Sequence, residues 1–376
     1  MPIPTGATGA RLPLRDDLRG IEPYGAPQLS VPVVLNVNEN PYPPSPAVVA
    51  EIAAAVERAA AGLNRYPDRE FIDLRADLAA YLLTESGVAL DVPQVWAANG
   101  SNEVMLHLLQ AFGGPGRTVL SFAPTYSMYP EYARDTMTTW LAGRRAEDFT
   151  LDPGHAAEMI ARHAPSVVLL ASPNNPTGTA LPQATVEAVL AAADEVPGGC
   201  VVVVDEAYGE FRRTGTPSAL ELLAAHPNLA VSRTMSKAFG MAGARIGYLA
   251  AAPELVDALR VVRLPYHLSA VTQAVARAAL AHSGELMAQV ASLRYERDAT
   301  VAWLREQGWQ VADSDANFAL FGVFADRHAV WQGLLDRGVL IREVGPDGWL
   351  RVSIGTPAEM ARFRETLLDV TKGRPA

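Results

Sequence analysis

Residues Val201-Val-Val-Val-Asp-Glu-Ala-Tyr208 decide how the chain reads. Four consecutive valines describe a short strand covered on both faces, because a strand with one wet face would alternate apolar and polar residues. The strand ends on an acid. Asp205 therefore stands at the edge of a low-dielectric layer, where a carboxylate is costly unless a cation meets it. Helix capping is the plain alternative for an aspartate at such a point. The run opens at Cys200, the only cysteine, whose expected role is a buried structural thiol.

The pattern repeats on both sides. Apolar stretches at 95–98, 118–122, 166–171, 230–233 and 246–250 fall among stretches of helical periodicity, including 48–61, 71–84 and 104–112. Strands alternating with helices predict an α/β chain whose mostly parallel sheet lies between helices. After Pro253 the character changes. Helices are expected over 254–263 and 269–307, the latter broken near Ser283-Gly284. Strands at 317–323, 339–343 and 350–354, with helices at 327–336 and from Pro357, describe a second, smaller α/β unit. The expected division is an N-terminal arm over 1–46 packing with the small domain, a large domain over 47–265 and a small C-terminal domain over 266–376.

Composition narrows the function classes. Of 376 residues, 49% are apolar and 19% charged, a globular balance. The net charge of -10 opposes binding to nucleic acid. The first 30 residues hold no apolar signal core, and no apolar run approaches the length of a membrane helix. One cysteine forms no internal disulfide and no Cys/His set has zinc spacing. A cytoplasmic protein without membrane or nucleic-acid partners is expected.

In open parallel sheets ligands sit at the carboxyl ends of the strands, so the loops there carry the chemistry. Ser232-Arg-Thr-Met-Ser-Lys237 follows one strand, with Arg245 eight residues on. A solvated surface lysine is the ordinary reading of Lys237. Its neighbours oppose that: the hydroxyls of Thr234 and Ser236 and the guanidinium of Arg245 together suit one phosphate. A lysine beside a phosphate suggests a P-loop or a Schiff base. The chain has no G-x-x-x-x-G-K-[ST], which leaves condensation of the amine with a cofactor aldehyde. Asp205 then reads as the carboxylate that keeps a pyridine nitrogen protonated.

Three further loops agree. In Ser172-Pro-Asn-Asn-Pro-Thr-Gly178, a turn by composition, Asn175 is placed to donate to a phenolic oxygen. Asn99-Gly-Ser-Asn-Glu103 opens a helix and presents free backbone N–H groups to an anion, with Ser101 or Asn102 as the cap. Tyr126 follows the next strand and either packs or stacks on an aromatic ring.

Taken together, Asn99-Gly100, Asn174-Asn-Pro-Thr-Gly178, Asp205-x-x-Tyr208 and Ser236-Lys237…Arg245 resemble the fold-type I aminotransferases of class I/II in type, order and spacing. Leu35-Asn-Val-Asn-Glu-Asn-Pro41, Arg65-Tyr-Pro-Asp68, Arg233-Thr-Met-Ser-Lys-Ala-Phe239 and Leu350-Arg-Val-Ser-Ile-Gly355 narrow the resemblance to the histidinol-phosphate aminotransferases, over nearly the whole chain. The resemblance implies pyridoxal 5'-phosphate, carried by Lys237, which also shuttles the proton. It implies Asp205 at the pyridinium and Asn175 and Tyr208 at the ring oxygen. It places Tyr126 on the ring and Ser101, Asn102, Ser236 and Arg245 at the phosphate. Tyr66 would reach the cofactor of a neighbouring subunit, so a homodimer is implied. Arg351 would bind the substrate's anionic end, helped by Arg342 and Tyr24.

The expected reaction is ping-pong transamination between L-histidinol phosphate and 2-oxoglutarate, in histidine biosynthesis. An aromatic amino-acid aminotransferase is the nearest alternative, and a decarboxylase of the same fold a more distant one. Two arginines suit a pocket that accepts both a phosphate ester and a carboxylate. An ion pair with Glu343 or Asp347 is the competing reading of Arg342. His267 reads as structural.

Overall fold

A computed structural model describes residues 13–372. The first twelve residues of the expected arm lie outside the described residues. β1 (Val33–Val34) is followed by α1 (Pro46–Ala60) and α2 (Ile72–Ser86), then β2 (Val95–Ala98), α3 (Ser101–Phe112), β3 (Thr118–Ala123), α4 (Tyr129–Asp135), β4 (Thr139–Arg144) and α5 (Pro153–His163). The core continues through β5 (Val167–Ala171), α6 (Gln183–Asp194), β6 (Val201–Asp205), β7 (Leu229–Thr234), β8 (Gly247–Ala251) and α7 (Pro253–Val262).

These strands form one seven-stranded sheet in the order β2-β8-β7-β6-β5-β3-β4. β8 alone runs against its neighbours; every other pairing is parallel. Every residue of β5 and β7 is buried, as is Val202–Asp205 of β6, because helices cover both faces. β4 was not legible as a strand. It pairs only with β3, mixes exposed and partly covered positions without alternation and contains Gly143, so edge position rather than composition makes it extended.

The rest of the chain comprises α8 (Ala270–Ala281), α9 (Ser283–Glu306), β9 (Gln310–Val311), β10 (Phe318–Gly322), α10 (Arg327–Leu335), β11 (Val339–Leu340), β12 (Leu350–Ser353) and α11 (Pro357–Thr371). The expected break near Ser283 falls at His282, between α8 and α9. β12-β10-β9 form an antiparallel sheet. α11 begins with a reciprocal capping box between Thr356 and Glu359. β1, far away in sequence, pairs in parallel with β11, so residues 33–40 are drawn across the carboxyl end of the large sheet. No helix among the described residues is long and apolar enough to cross a membrane.

Candidate active site

A cavity of about 370 Å³ opens where the carboxyl ends of β5, β6 and β7 face the 35–39 segment and β12. Its walls bring together Tyr24, Ser101, Asn102, Tyr126, Asn175, Asp205, Tyr208, Ser236, Lys237, Arg245, Arg342 and Arg351, twelve of the thirteen residues singled out from the sequence. The thirteenth, Tyr66, is 80% exposed and stacks on Tyr266 at 4.5 Å, away from this cavity.

β6 delivers Asp205 buried, with 7% of its surface exposed. Its carboxylate accepts hydrogen bonds from the Tyr129 hydroxyl at 2.9 Å and from the Ala207 N–H at 3.2 Å, and among the described residues it has no salt-bridge partner. Burial therefore pushes its pKa up to about 6, against the lowering effect of those two bonds. Asp205 is not a helix cap. It is a buried carboxylate that meets only neutral donors among the described residues.

After β7, Lys237 projects into the same space. Its Nζ donates to the Val37 carbonyl oxygen at 2.9 Å. Burial, followed by the nearby charge of Arg351, lowers this amine to about 8. A lysine near 8 has an appreciable neutral fraction near neutral pH, as a nucleophile or base requires.

The floor toward α3 is shaped for an anion. Gly100, at φ 84, is the residue that caps the start of α3, with no side-chain cap. The expected capping by Ser101 or Asn102 does not occur, because Gly100 holds the cap position and Glu103 reaches back to the Asn99 N–H and side-chain amide at 2.6 and 2.8 Å. The N–H groups of the first turn consequently keep their capacity for a ligand. A Cβ on Gly247 would lie 2.1 Å from the Ser101 nitrogen, and one on Gly100 would lie 2.5 Å from Arg245 Nη2, so both glycines are required for this approach. Arg245 itself adopts φ 55, the left-handed region that non-glycine residues seldom occupy. Its Nη1 donates to Ser236 Oγ at 3.5 Å, and the Thr234 hydroxyl donates to the same Ser236 oxygen at 3.1 Å. A guanidinium, two hydroxyls and uncapped helix N–H groups thus converge.

On the opposite wall, Tyr208 and Asn175 meet: Asn175 Nδ2 donates to the Tyr208 hydroxyl at 3.5 Å. Asn38 donates to that oxygen more closely, at 2.9 Å. Asn38 was missed in the sequence although Asn36, Asn38 and Asn40 alternate with other residue types through 35–41. Asn36 O accepts from Arg351 Nη2 at 2.8 Å, and Arg351 Nη1 donates to Asn175 Oδ1. Arg351 Nε is buried with no partner among the described residues. Burial lowers the Arg351 guanidinium to about 10.

Arg342 and Arg351 form an isolated antiparallel bridge, with N–H···O distances of 2.9 Å in both directions. Directly opposed residues project to the same face of the ribbon, which explains two like charges in one wall. The ion-pair reading of Arg342 is overturned: Glu343 pairs with Arg327 and His328, and Asp347 with Arg327. Tyr24 is half exposed at the rim and exchanges a 2.9 Å hydrogen bond with Ser127. Tyr126 meets the fully buried Tyr129 edge-on at 5.6 Å. His267 is structural: it stacks on Trp96 at 5.3 Å and bonds the Ala97 carbonyl at 3.0 Å.

Among the described residues, then, a buried acid without a cation, an amine without an acid and an anion cradle share one cavity on an α/β sheet, a combination that suits an aromatic, cationic, phosphorylated cofactor. The sequence profile described as Aminotransferase class I and II matches residues 31–367, and the chain belongs to that family. Its curated relatives include the histidinol-phosphate aminotransferase of Thermobifida fusca, 64% identical over 98% of both chains. That of Bifidobacterium longum is 59% identical over 96% of this chain and 97% of the other. Among solved structures, the histidinol-phosphate aminotransferase of Sinorhizobium meliloti in complex with pyridoxal-5'-phosphate superposes with a TM-score of 0.80 at 26% identity, covering 92% of each chain.

Proposed function

We propose that this enzyme transfers the amino group of L-histidinol phosphate to 2-oxoglutarate, using pyridoxal 5'-phosphate bound at Lys237. The observation that carries the reading is two groups in one cavity that meet no opposite charge among the described residues: the buried Asp205 carboxylate, bonded only by neutral donors, and the enclosed Lys237 amine, bonded only to a carbonyl. The residues fit the cofactor. Asp205 would face the ring nitrogen, Asn175 and Tyr208 the ring oxygen, and Tyr126 the ring face. Ser101, Asn102, Ser236 and Arg245 would hold the phosphate.

When bound, the cofactor supplies an electron sink for negative charge developing at the substrate Cα. Asp205 maintains the proton on the ring nitrogen by placing a carboxylate beside it in low dielectric. Lys237, lowered to about 8, accepts the Cα proton and returns it on the other side of the exchange. Arg351 and Arg342 grip the anionic end of either substrate, since a guanidinium fork fits a phosphate and a carboxylate alike. Tyr24 closes the rim over that end. Val37 and Asn38 belong to the 35–39 segment, which shields the amine from solvent.

The arm over 1–46, the large domain over 47–265 and the small domain over 266–376 are the units we assign. The seven-stranded sheet lying wholly within 95–251 supports this division. We assign a homodimer in the cytoplasm. Exposed Tyr66, stacked on Tyr266 outside its own chain's cavity, supports a site completed by a second copy, and the single buried thiol suits a reducing compartment.

The test is a substrate comparison on cofactor-loaded protein. We expect kcat/KM for histidinol phosphate to exceed that for phenylalanine by at least tenfold, an interval of about 1.4 kcal/mol in transition-state binding. Preference for phenylalanine would reject the substrate assignment. A protein that takes up no cofactor would reject the whole reading.

A further inference from the structure

We propose that Tyr129 is a positioning residue that keeps the cofactor's ring nitrogen protonated by donating a hydrogen bond to Asp205; the inference rests on the reading that this nitrogen faces Asp205. Tyr129 is the first residue of α4, three places beyond Tyr126, and its ring is fully buried. Its hydroxyl lies 2.9 Å from Asp205 Oδ2, across 76 residues of sequence. The other carboxylate oxygen, Oδ1, is held by the Ala207 N–H at 3.2 Å. Two donors from the protein thus fix the orientation of the carboxylate before any ligand arrives.

The chemistry follows from one shared proton. Between a carboxylate and a pyridine nitrogen the proton sits on the more basic partner. A donor on the carboxylate stabilises its ionised form and lowers its basicity, so the proton stays on nitrogen and the ring keeps its pull on electrons. A bare carboxylate in this dry position would draw the proton away and leave a neutral ring. The groups around Asp205 are few. Glu206, the residue that follows β6, raises its pKa, and Tyr126, Tyr132 and Tyr208 are the neighbouring phenols. Of these four tyrosines, only Tyr129 bonds Asp205. Tyr132, on the same helix, is buried and makes no bond to Asp205 among the described residues, which makes it the control.

The bond also acts on Tyr129. Burial and then the Asp205 charge hold its own pKa well above the ordinary phenol value, so it remains a donor throughout the working pH range.

The experiment loads the enzyme with pyridoxal 5'-phosphate labelled with 15N at the ring nitrogen and reads that nitrogen by NMR. In the unaltered protein the signal should be that of a pyridinium. Tyr129→Phe should move it toward a neutral pyridine and lower kcat about tenfold with KM little changed, the size expected for one hydrogen bond to a charged group. Tyr132→Phe should leave the nitrogen signal in place. Incorporating 3-fluorotyrosine at 129, a stronger donor that preserves the packing, should keep the pyridinium signal that Tyr129→Phe loses. In the cofactor-free protein, 13C-labelled Asp205 should titrate at higher pH in Tyr129→Phe, a readout that does not depend on the cofactor assignment. An unmoved nitrogen in Tyr129→Phe, a nitrogen lost to the neutral form with 3-fluorotyrosine, or an Asp205 titration insensitive to Tyr129→Phe, overturns the proposal.

Discussion

Asp205 and Glu206 are consecutive, both carboxylates and both buried, yet they meet opposite surroundings. Asp205 turns to the cavity and finds two neutral donors. Glu206 turns to the other face of the sheet and finds Arg233 Nη2 at 2.7 Å, Arg212 Nη1 at 3.1 Å, the Ser218 hydroxyl at 2.7 Å and the Ala219 N–H at 2.7 Å. Arg233 is wholly buried and also meets Glu210 at 3.2 Å and Glu85 at 3.3 Å. Burial opposes charge on both acids, but at Glu206 the two guanidinium groups overcome it and hold the pKa below the ordinary value. At Asp205 burial prevails. The ladder of β6 carries on through the Glu206 N–H, which bonds the Ser232 carbonyl at 2.8 Å, and successive residues of extended chain point to opposite faces, so a single step in sequence separates an acid met by two guanidinium groups from one met only by neutral donors. The presence or absence of a protein cation tells the two apart.

The sharpest way to break this contrast is to ask whether the cavity face carries the chemistry at all. Lys237→Ala should lower turnover about a thousandfold or more while the fold persists, measured by steady-state kinetics and thermal melting. Near-normal turnover would remove the lysine from the mechanism.

Next come the two acids themselves, in cofactor-free protein. Glu206→Gln should destabilise by about 3–5 kcal/mol in urea unfolding, because it leaves Arg233 and Arg212 short of a buried charge. Asp205→Asn should have the opposite sign, a gain of about 1–3 kcal/mol at pH 7. The pH dependence fixes the signs. Asp205 rises from 3.8 to about 6 on folding, so its favourable contribution is full below about 4 and is lost as pH climbs through 6. The gain from Asp205→Asn should therefore vanish in acid. Glu206 is lowered from 4.5, so its contribution is present above that value and is lost as pH falls through the folded pKa. Equal signs for the two variants at pH 7 would show that the two carboxylates are not distinguished as argued.

Smaller effects probe the wall opposite. Arg351→Lys should lower kcat/KM about tenfold for both substrates, since a lysine cannot replace the fork that reaches Asn36 and Asn175. Arg342→Ala should cost about threefold, because this arginine is only half buried and water screens its charge. A larger loss at 342 than at 351 would reverse their assigned ranks.

Much of this site was legible before any coordinates. Asp205 and Lys237 announce themselves because each is a charged residue at the end of an apolar strand. Asn175 and the Gly100 loop follow strands in the same way. The parts that were not legible are held by contacts across long stretches of chain. Asn38 reaches Tyr208 over 170 residues, and Val37 receives the Lys237 amine over 200. Tyr129 looks like any aromatic residue near a helix start until α4 is set against β6. The edge strand β4 was hidden because its residues are half exposed and its pairing with β3 is what extends it.

The sequence by itself determined the alternation of strands and helices, the placing of a lysine and an acid at the ends of apolar strands, and the family, because periodicity and strand-end chemistry are local properties of the chain. Tertiary structure alone decided which acid lacks a cation, which carbonyl receives the amine and which two arginines share a wall. Those outcomes depend on distances between segments far apart in sequence, and no local pattern encodes them.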